Sequence, residues 1–144
     1  MQPRPGRGHR RLPHTADVRI EAWAPTREQC VAEAVAALVD TFVDPAGARP
    51  GPRREFRAPA GDDDADLLVG VLDEVVFRME TAGELPLHTD VADDGAGGLV
   101  VRWRTADTDA VELIGAVPKA VSLHGLRFGP DDGGAWSCAV TLDV

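Results

Sequence analysis

The sequence predicts an α+β fold in which two helices pack on a mostly antiparallel β-sheet. Two segments, 26–44 and 61–83, carry apolar residues at helical spacing. Around them, short stretches alternate apolar and polar residues and are separated by Pro, Gly and Asp, which is typical of strands joined by turns. The order is strand, helix, strand, helix and then several hairpin-linked strands, which favours α+β over repeated βαβ units.

The first strand and the first helix are defined by local signals. Val18, Ile20 and Ala22 alternate with polar or larger residues, which predicts a half-buried strand that Pro25 ends. The Thr-Arg-Glu-Gln segment at 26–29 has the spacing of a capping box, so a helix begins there. We expect it to run to about residue 44, with one apolar stripe that consists of Val31, Ala34, Val35, Leu38 and Phe42.

A short strand and the most strongly patterned helix follow a Pro/Gly-rich loop. Residues 53–58 predict a strand with Phe56 directed inward. In the helix, apolar residues recur at i, i+4 and i+8 from Leu67 to Met79, and Gly83 ends it.

The acids that precede this helix have the spacing of a calcium-binding loop. Asp62, Asp64 and Asp66 occupy its first, third and fifth positions. The sixth position, where such a loop needs glycine, is Leu67, which already belongs to the apolar stripe of the helix. We therefore expect the acids to cap the helix, since its N-terminal N–H groups and dipole favour negative charge.

The remaining elements are short strands and turns in alternation. They are strands near 85–92 and 98–105 joined by a turn at 93–95, a capping box at 109–112, a strand over 121–128, a turn at 131–134 and a final strand over 138–142.

Length and charge indicate a single domain with a basic leader. Residues 1–11 hold four arginines and no acid, and we expect a flexible basic leader there and one domain over 12–144. That domain carries a net charge of −13, which disfavours strong direct nucleic-acid binding because phosphate contacts dominate such affinity. No apolar run approaches the roughly 20 residues that span a bilayer, and no secretory signal is present, so we expect no membrane association and a cytoplasmic location.

Motifs for catalysis and for common cofactors are absent from the sequence. It has no nucleotide-binding glycine loop, no nucleophile elbow and no Cys-x-x-Cys pair, so we predict no catalytic and no cofactor-binding residues. Cys30 and Cys138 fall on apolar faces, which predicts buried free thiols. Ser122 and His124 share one face of a strand, and a working pair would need tertiary support.

The first and last strands bring acids to what we expect to be one edge of the sheet. Asp17 begins the first strand and Asp143 ends the last, each on the polar side of its alternation. If these strands pair antiparallel, both carboxylates project from one face, with the carboxylate of Val144 one residue further on. Such crowding suits a hard divalent cation with oxygen ligands; the alternative is two solvated acids at fraying ends.

Four segments resemble motifs of the archease family, in the family's order. They are His14-Thr-Ala-Asp-Val, Asp66-Leu-Leu-Val ahead of the helix with Glu74, Val117-Pro-Lys-Ala-Val-Ser-Leu-His-Gly-Leu126, and Leu142-Asp-Val144. The sequence departs from the motifs at Arg19, which replaces a glycine, at Ser122-Leu123, which replaces Thr-Tyr, and at Gly70-Val71.

The resemblance implies an archease-like fold and a non-catalytic accessory protein of the RtcB-type tRNA-splicing RNA ligase. Archeases promote guanylylation and multiple turnover of that ligase. The resemblance further implies a cation site, calcium-like, at Asp17, Asp143 and Val144, and Lys119 matches a family position that could contact the ligase. Two alternatives remain: a small metal-dependent phosphohydrolase with His14 or His124 as acid-base, and a cation that only pins the strand ends.

Overall fold

A computed structural model describes residues 6–12 and 17–144, apart from the side chain of Leu12. Its strands and helices, in chain order, are β1 Gly8–Leu12, β2 Asp17–Ala24, α1 Arg27–Asp40, β3 Val43–Asp44, β4 Arg53–Ala58, α2 Asp64–Ala82, β5 Glu84–Asp93, β6 Leu99–Asp107, β7 Glu112–Leu113, β8 Ala120–Pro130 and β9 Trp136–Asp143. A 3₁₀ turn, Thr108–Ala110, separates β6 from β7. Across the part of the chain described, no helix is both long and apolar enough to cross a membrane.

The strands form three antiparallel sheets. A four-stranded sheet has the order β1-β2-β9-β8, a three-stranded sheet has the order β4-β6-β5, and β3 pairs with β7. Helix α1 contacts β2 and β5, and α2 contacts β8, β5 and β4, so both helices lie between the two larger sheets. The predicted α+β class, with two helices on antiparallel sheet, is confirmed.

The core fills the space between these layers. Its largest fully buried side chains include Ile20 from β2, Leu38 from α1 and Leu68 and Leu72 from α2. Burying a side chain of this size contributes about 1.5–3 kcal/mol. Because the apolar stripes of both helices face this one core, the helix periodicity read from the sequence corresponds to real packing.

The ends of α1 agree with the sequence only at the N-terminus. Thr26 caps it, and the Thr26 hydroxyl accepts a hydrogen bond from the backbone N–H of Gln29 at 3.2 Å. The predicted end near residue 44 is wrong, since the helix ends at Asp40 and residues 43–44 form β3. The carbonyl of Phe42 accepts a hydrogen bond from the N–H of Ile114 at 2.8 Å, so pairing with β7 takes the chain out of the helix.

Helix α2 begins and ends as predicted. The carboxylate of Asp63 accepts a hydrogen bond from the N–H of Asp66 at 2.9 Å, and Gly83 closes the helix in the left-handed conformation at φ 64°. Asp64 also forms an ion pair with Arg27 of α1 at 2.8 Å. The acidic run therefore caps a helix and ties it to its neighbour. The brief helix or turn predicted from the possible capping box at 109–112 is present as the 3₁₀ turn, but its cap is Asp107, whose carboxylate accepts from the N–H of Asp109.

Part of the basic leader forms a strand. Gly8–Leu12 forms β1, which pairs with β2, so the predicted flexible leader over 1–11 is wrong from Gly8 onward. The reason is electrostatic: Arg7 pairs with Glu33 at 2.8 Å, and Arg10 pairs with Glu21 at 2.8 Å. Residues 1–5 lie outside the described residues.

Candidate functional site

Strands β2 and β9 are neighbours in the four-stranded sheet and run antiparallel. Their ladder extends from the pair Asp17–Asp143 to the pair Ala24–Trp136. Asp17 and Asp143 are therefore directly opposite each other at one end of the ladder. The structure therefore has the antiparallel pairing of the first and last strands that the sequence analysis assumed.

The two carboxylates project from the same face of the sheet. Directly opposed residues in an antiparallel pair share a face, and like charges in that position are destabilising. Asp17 is half-buried and Asp143 is exposed. Among the interactions of the described residues, no ion pair involves either acid. Their repulsion is thus uncompensated by the side chains that the structure describes.

The backbone of Asp143 is held from both sides. On the side away from β2, Ala120 of β8 is its partner in the sheet, and the N–H of Lys119 donates to the carbonyl of Asp143 at 2.7 Å. Val144 follows directly and is half-buried. The ladder therefore fixes the position from which Asp143 and Val144 present their oxygen atoms.

The donor set at this edge suits a hard cation. No group of three or more His, Cys, Asp or Glu side chains able to hold a metal occurs in residues 6–12 and 17–144. At the edge, Asp17 and Asp143 are cross-strand partners, and Val144, which the family resemblance also names, directly follows Asp143. Calcium and magnesium prefer such oxygen ligands and complete their shells with carbonyls or water, so these residues fit either ion better than they fit zinc.

Arg19, at the position of the motif glycine, occupies the next cross-strand pair on the same face. Its guanidinium donates to the hydroxyl of its partner Thr141 at 2.9 Å and to the carbonyl of Gly125 at 3.0 Å. Gly125 lies in an irregular part of β8, where residues 123–126 stand opposite Val140 alone. Arg19 thus spans three strands and holds this bulge, a role that the sequence analysis missed.

The structure does not place the His124 ring as a base for the Ser122 hydroxyl. The contact between Ser122 and His124 is a hydrogen bond from the backbone N–H of His124 to the Ser122 hydroxyl at 3.2 Å, so the ring is not its base. His124 is exposed on the bulge of β8. His14 lies outside the described residues.

His9 joins β1 to α1. Its ring nitrogens lie 2.7 Å from the Asp40 carboxylate and 3.0 Å from the Glu33 carboxylate. The bond to Asp40, opposed by partial burial and aided by Glu33, raises the pKa of His9 above its ordinary value of 6.5. The His9 ring therefore links the first strand to the helix.

Both cysteines are free and buried, as predicted. The Cys30 thiol donates to the carbonyl of Ala22 at 3.6 Å, and Ala22 is the sheet partner of Cys138. Contact with Cys138 together with burial raises the pKa of Cys30 far above its usual range. Cys30 is consequently a structural thiol and is not a reactive nucleophile.

Comparison with known proteins identifies relatives over almost the whole chain. The sequence model of the Archease protein family (MTH1598/TM1083) matches residues 9–144. The "Probable protein archease" of Mycobacterium tuberculosis is 50% identical over 137 residues, which cover 95% of this chain and 75% of the relative. The "Protein archease" of Methanopyrus kandleri is 32% identical over 139 residues, which cover 92% of this chain and 96% of the relative.

Two solved structures share the fold. The solution structure of Methanobacterium thermoautotrophicum protein 1598 aligns with a TM-score of 0.71 at 23% identity and covers 95% of this chain and 99% of its own. A Thermotoga maritima crystal structure, described as an archease and possible chaperone, aligns with a TM-score of 0.67 at 21% identity and covers 100% of this chain and 98% of its own.

Proposed function

This chain belongs to the archease family, and on that premise we propose that it is a non-catalytic activator of an RtcB-type tRNA-splicing RNA ligase. In this proposal it promotes guanylylation and multiple turnover of the ligase in the cytoplasm. The observation that carries the proposal is the direct opposition of Asp17 and Asp143, the two acids that the family resemblance singles out. The Thermotoga relative, described as a possible chaperone, supports action on a protein partner.

The proposal includes a divalent cation, calcium-like, held by Asp17, Asp143 and Val144. The carboxylates of Asp17 and Asp143 would supply two negative charges to balance a divalent ion, and Val144 would add a further oxygen ligand. The bound ion would neutralise the opposed acids and fix their orientation. What this chain supplies is the placement: β8 and β2 hold the backbone of Asp143 on both sides, and the half-buried Asp17 lies opposite it.

The charge of the whole chain supports association with a basic enzyme. The sequence has a net charge of −9, whereas an enzyme that binds RNA presents basic surface. Complementary potentials of this kind raise association rates and fix orientation. Lys119 is exposed next to Asp143, and none of its side-chain interactions within the described residues is an ion pair, so it is available to contact an acidic group of the ligase.

The test is a multiple-turnover ligation assay with the ligase of the same organism. We expect Asp17→Asn and Asp143→Asn to abolish stimulation while circular dichroism shows an intact fold. Asp132→Asn is the matched control, because Asp132 is an exposed acid in the turn at the opposite end of β9. Full stimulation by both site variants would refute the proposal.

Assays without the ligase separate the alternatives. A metal-dependent phosphohydrolase would turn over a phosphoester substrate by itself in Mg²⁺, Mn²⁺ or Ca²⁺. A purely structural cation would raise the melting temperature, yet variants of the site would still stimulate ligation. The proposed activator shows no turnover by itself and loses stimulation together with cation binding.

A further inference from the structure

A cleft lined by arginines lies on the three-stranded sheet, away from the sheet that carries Asp17 and Asp143. Its volume is about 730 Å³, and its charged lining is Arg53, Arg54, Glu55, Asp90, Arg102 and Arg104. This lining has two more positive than negative charges, although the sequence as a whole has a net charge of −9. The cleft therefore concentrates positive charge on an acidic protein.

The sheet register opposes two of these arginines directly. Arg53 of β4 is the cross-strand partner of Arg104 of β6, and the next outward-facing pair is Glu55 with Arg102. A like-charge pair in this position costs stability unless an anion lies between the side chains. Glu55 and Arg102 form an ion pair at 2.9 Å, so the charged lining that remains is Arg53, Arg54 and Arg104, with Asp90 as the one further acid.

The hydrogen bonds of the arginines lead to the same two residues. Arg54 is neutralised by two bonds to Glu84, at 3.2 and 2.9 Å. Arg104 uses its Nε to donate to the carbonyl of Gly51 at 2.7 Å, a neutral acceptor that leaves the charge of the guanidinium uncompensated. Arg53 is exposed, and its side chain has no ion pair or hydrogen bond among the described residues.

His88 adds a further donor to the cleft. It lies at the irregularity of β5 between Leu87 and Asp90 and has a φ of 54°, which non-glycine residues rarely adopt. Such a conformation occurs where a bulge redirects a side chain. His88 is exposed and lines the same cleft as Arg53 and Arg104.

We propose that this cleft binds a phosphate monoester through Arg53 and Arg104, as a site separate from the cation edge. A phosphate monoester carries close to two negative charges and three acceptor oxygens, which match two guanidinium groups that each present a planar fork of donors. A carboxylate has only one charge. An extended polynucleotide is disfavoured by the acidic remainder of the chain, so the ligand is a single phosphate group on a nucleotide or at the end of an RNA.

The test is calorimetric titration of the intact protein with adenosine monophosphate and with a short RNA that ends in a 3′-phosphate or in a 3′-hydroxyl. We expect saturable binding of at least one phosphate-bearing probe and weaker binding of the 3′-hydroxyl RNA. Tighter binding of the mononucleotide identifies a free nucleotide as the ligand, and tighter binding of the 3′-phosphate RNA identifies an RNA end. Absence of saturable binding to both overturns the proposal.

Two charge reversals on one strand provide the decisive comparison. Arg53→Glu puts an acid opposite Arg104, so we expect the affinity for the bound probe to fall at least about tenfold while the fold is retained. Arg57→Glu changes the net charge equally on the same face of β4. Arg57 lies opposite Val100, does not line the cleft and touches its lining only through a long ion pair with Glu55 at 3.7 Å, so binding should persist. Equal losses in both variants would show a general charge effect and overturn the site. Asp17→Asn should bind the probe like the unaltered protein, which separates this result from the cation proposal.

Discussion

Replacing Asp143 with Asn distinguishes the destabilisation that the two opposed carboxylates cause from their contribution to cation binding. The amide keeps the shape of the side chain and removes its charge, and the backbone remains held by β2 and β8. Without a divalent cation the change removes a like-charge cross-strand pair, whose repulsion amounts to about 0.2–1 kcal/mol. In a calcium chelator, the variant should therefore be as stable as the unaltered protein or slightly more stable.

In calcium, the unaltered protein should instead be more stable than Asp143→Asn. An ion that binds only the folded chain stabilises it by about 2.7 kcal/mol when its concentration is about 100-fold above Kd. For a chain of 144 residues, 1 kcal/mol corresponds to about 4 °C in Tm, so calcium should raise Tm by about 10 °C. Asp143→Asn retains fewer charged donors and should show a much smaller rise.

The assay is thermal unfolding followed by circular dichroism, in chelator and in excess calcium. Asp132→Asn serves as the control, since it removes an acid at the far end of β9 and should keep the full calcium-dependent rise. An equal rise in Asp143→Asn would refute the cation site. A marked loss of stability of that variant in chelator would refute the repulsion argument, because it would mean that the carboxylate has a stabilising partner.

Three further predictions concern the contacts that hold the fold. The bond to Asp40 raises the pKa of His9, so the stabilisation that the charged ring provides is complete below pH 6.5 and is lost as pH rises through the raised pKa. Over that window the free energy of unfolding should fall by about 1 kcal/mol or less, because solvent screens the pair. Melting curves between pH 5 and 9 should show the corresponding fall in Tm for the unaltered protein and no such fall for His9→Gln. Asp63→Ala removes the cap of α2 and should lower the free energy of unfolding by about 1 kcal/mol in urea titrations, with a preserved m-value. Arg19→Gly restores the family glycine but removes the bonds to Thr141 and Gly125, so backbone amides of residues 123–126 should exchange hydrogen faster while the exchange of core amides in α2 changes little.

The features that were predictable from sequence are those that short segments determine. The cap at Thr26, the capping of α2 by the acidic run at 62–66 and the stop at Gly83 depend on residues three or four positions apart, and all three are confirmed. β1 was missed because its arginines and histidine need acids from β2 and α1, which are remote in sequence. The early end of α1 was missed for the same reason, since β3 exists only through its pairing with β7.

In the candidate site, too, local sequence patterns predicted some features, and others depend on how remote strands pair. Alternation along each strand gave the shared face of Asp17 and Asp143, and only the choice of neighbouring strands had to be assumed. The bulge at 123–126 could not be predicted, because a change of register appears only when β8 is laid against β9. The arginine cleft had a readable signal: Arg53 and Arg57 share one face of β4, and Arg102 and Arg104 share one face of β6, but a single sequence does not show that the two strands pair.

The arginine at the glycine position of the motif is compatible with a cation at the adjacent acids. Arg19 occupies the cross-strand pair next to Asp17 and Asp143, and a guanidinium so placed could have formed an ion pair that removed the need for a metal. Its donors are instead engaged by two neutral acceptors, the hydroxyl of Thr141 and the carbonyl of Gly125. Arg19 therefore forms an ion pair with neither acid, and it holds the bulge of β8 beside them. The departure from the motif therefore leaves the acidic pair available to a cation and adds a contact between β2 and β8 that a glycine cannot make.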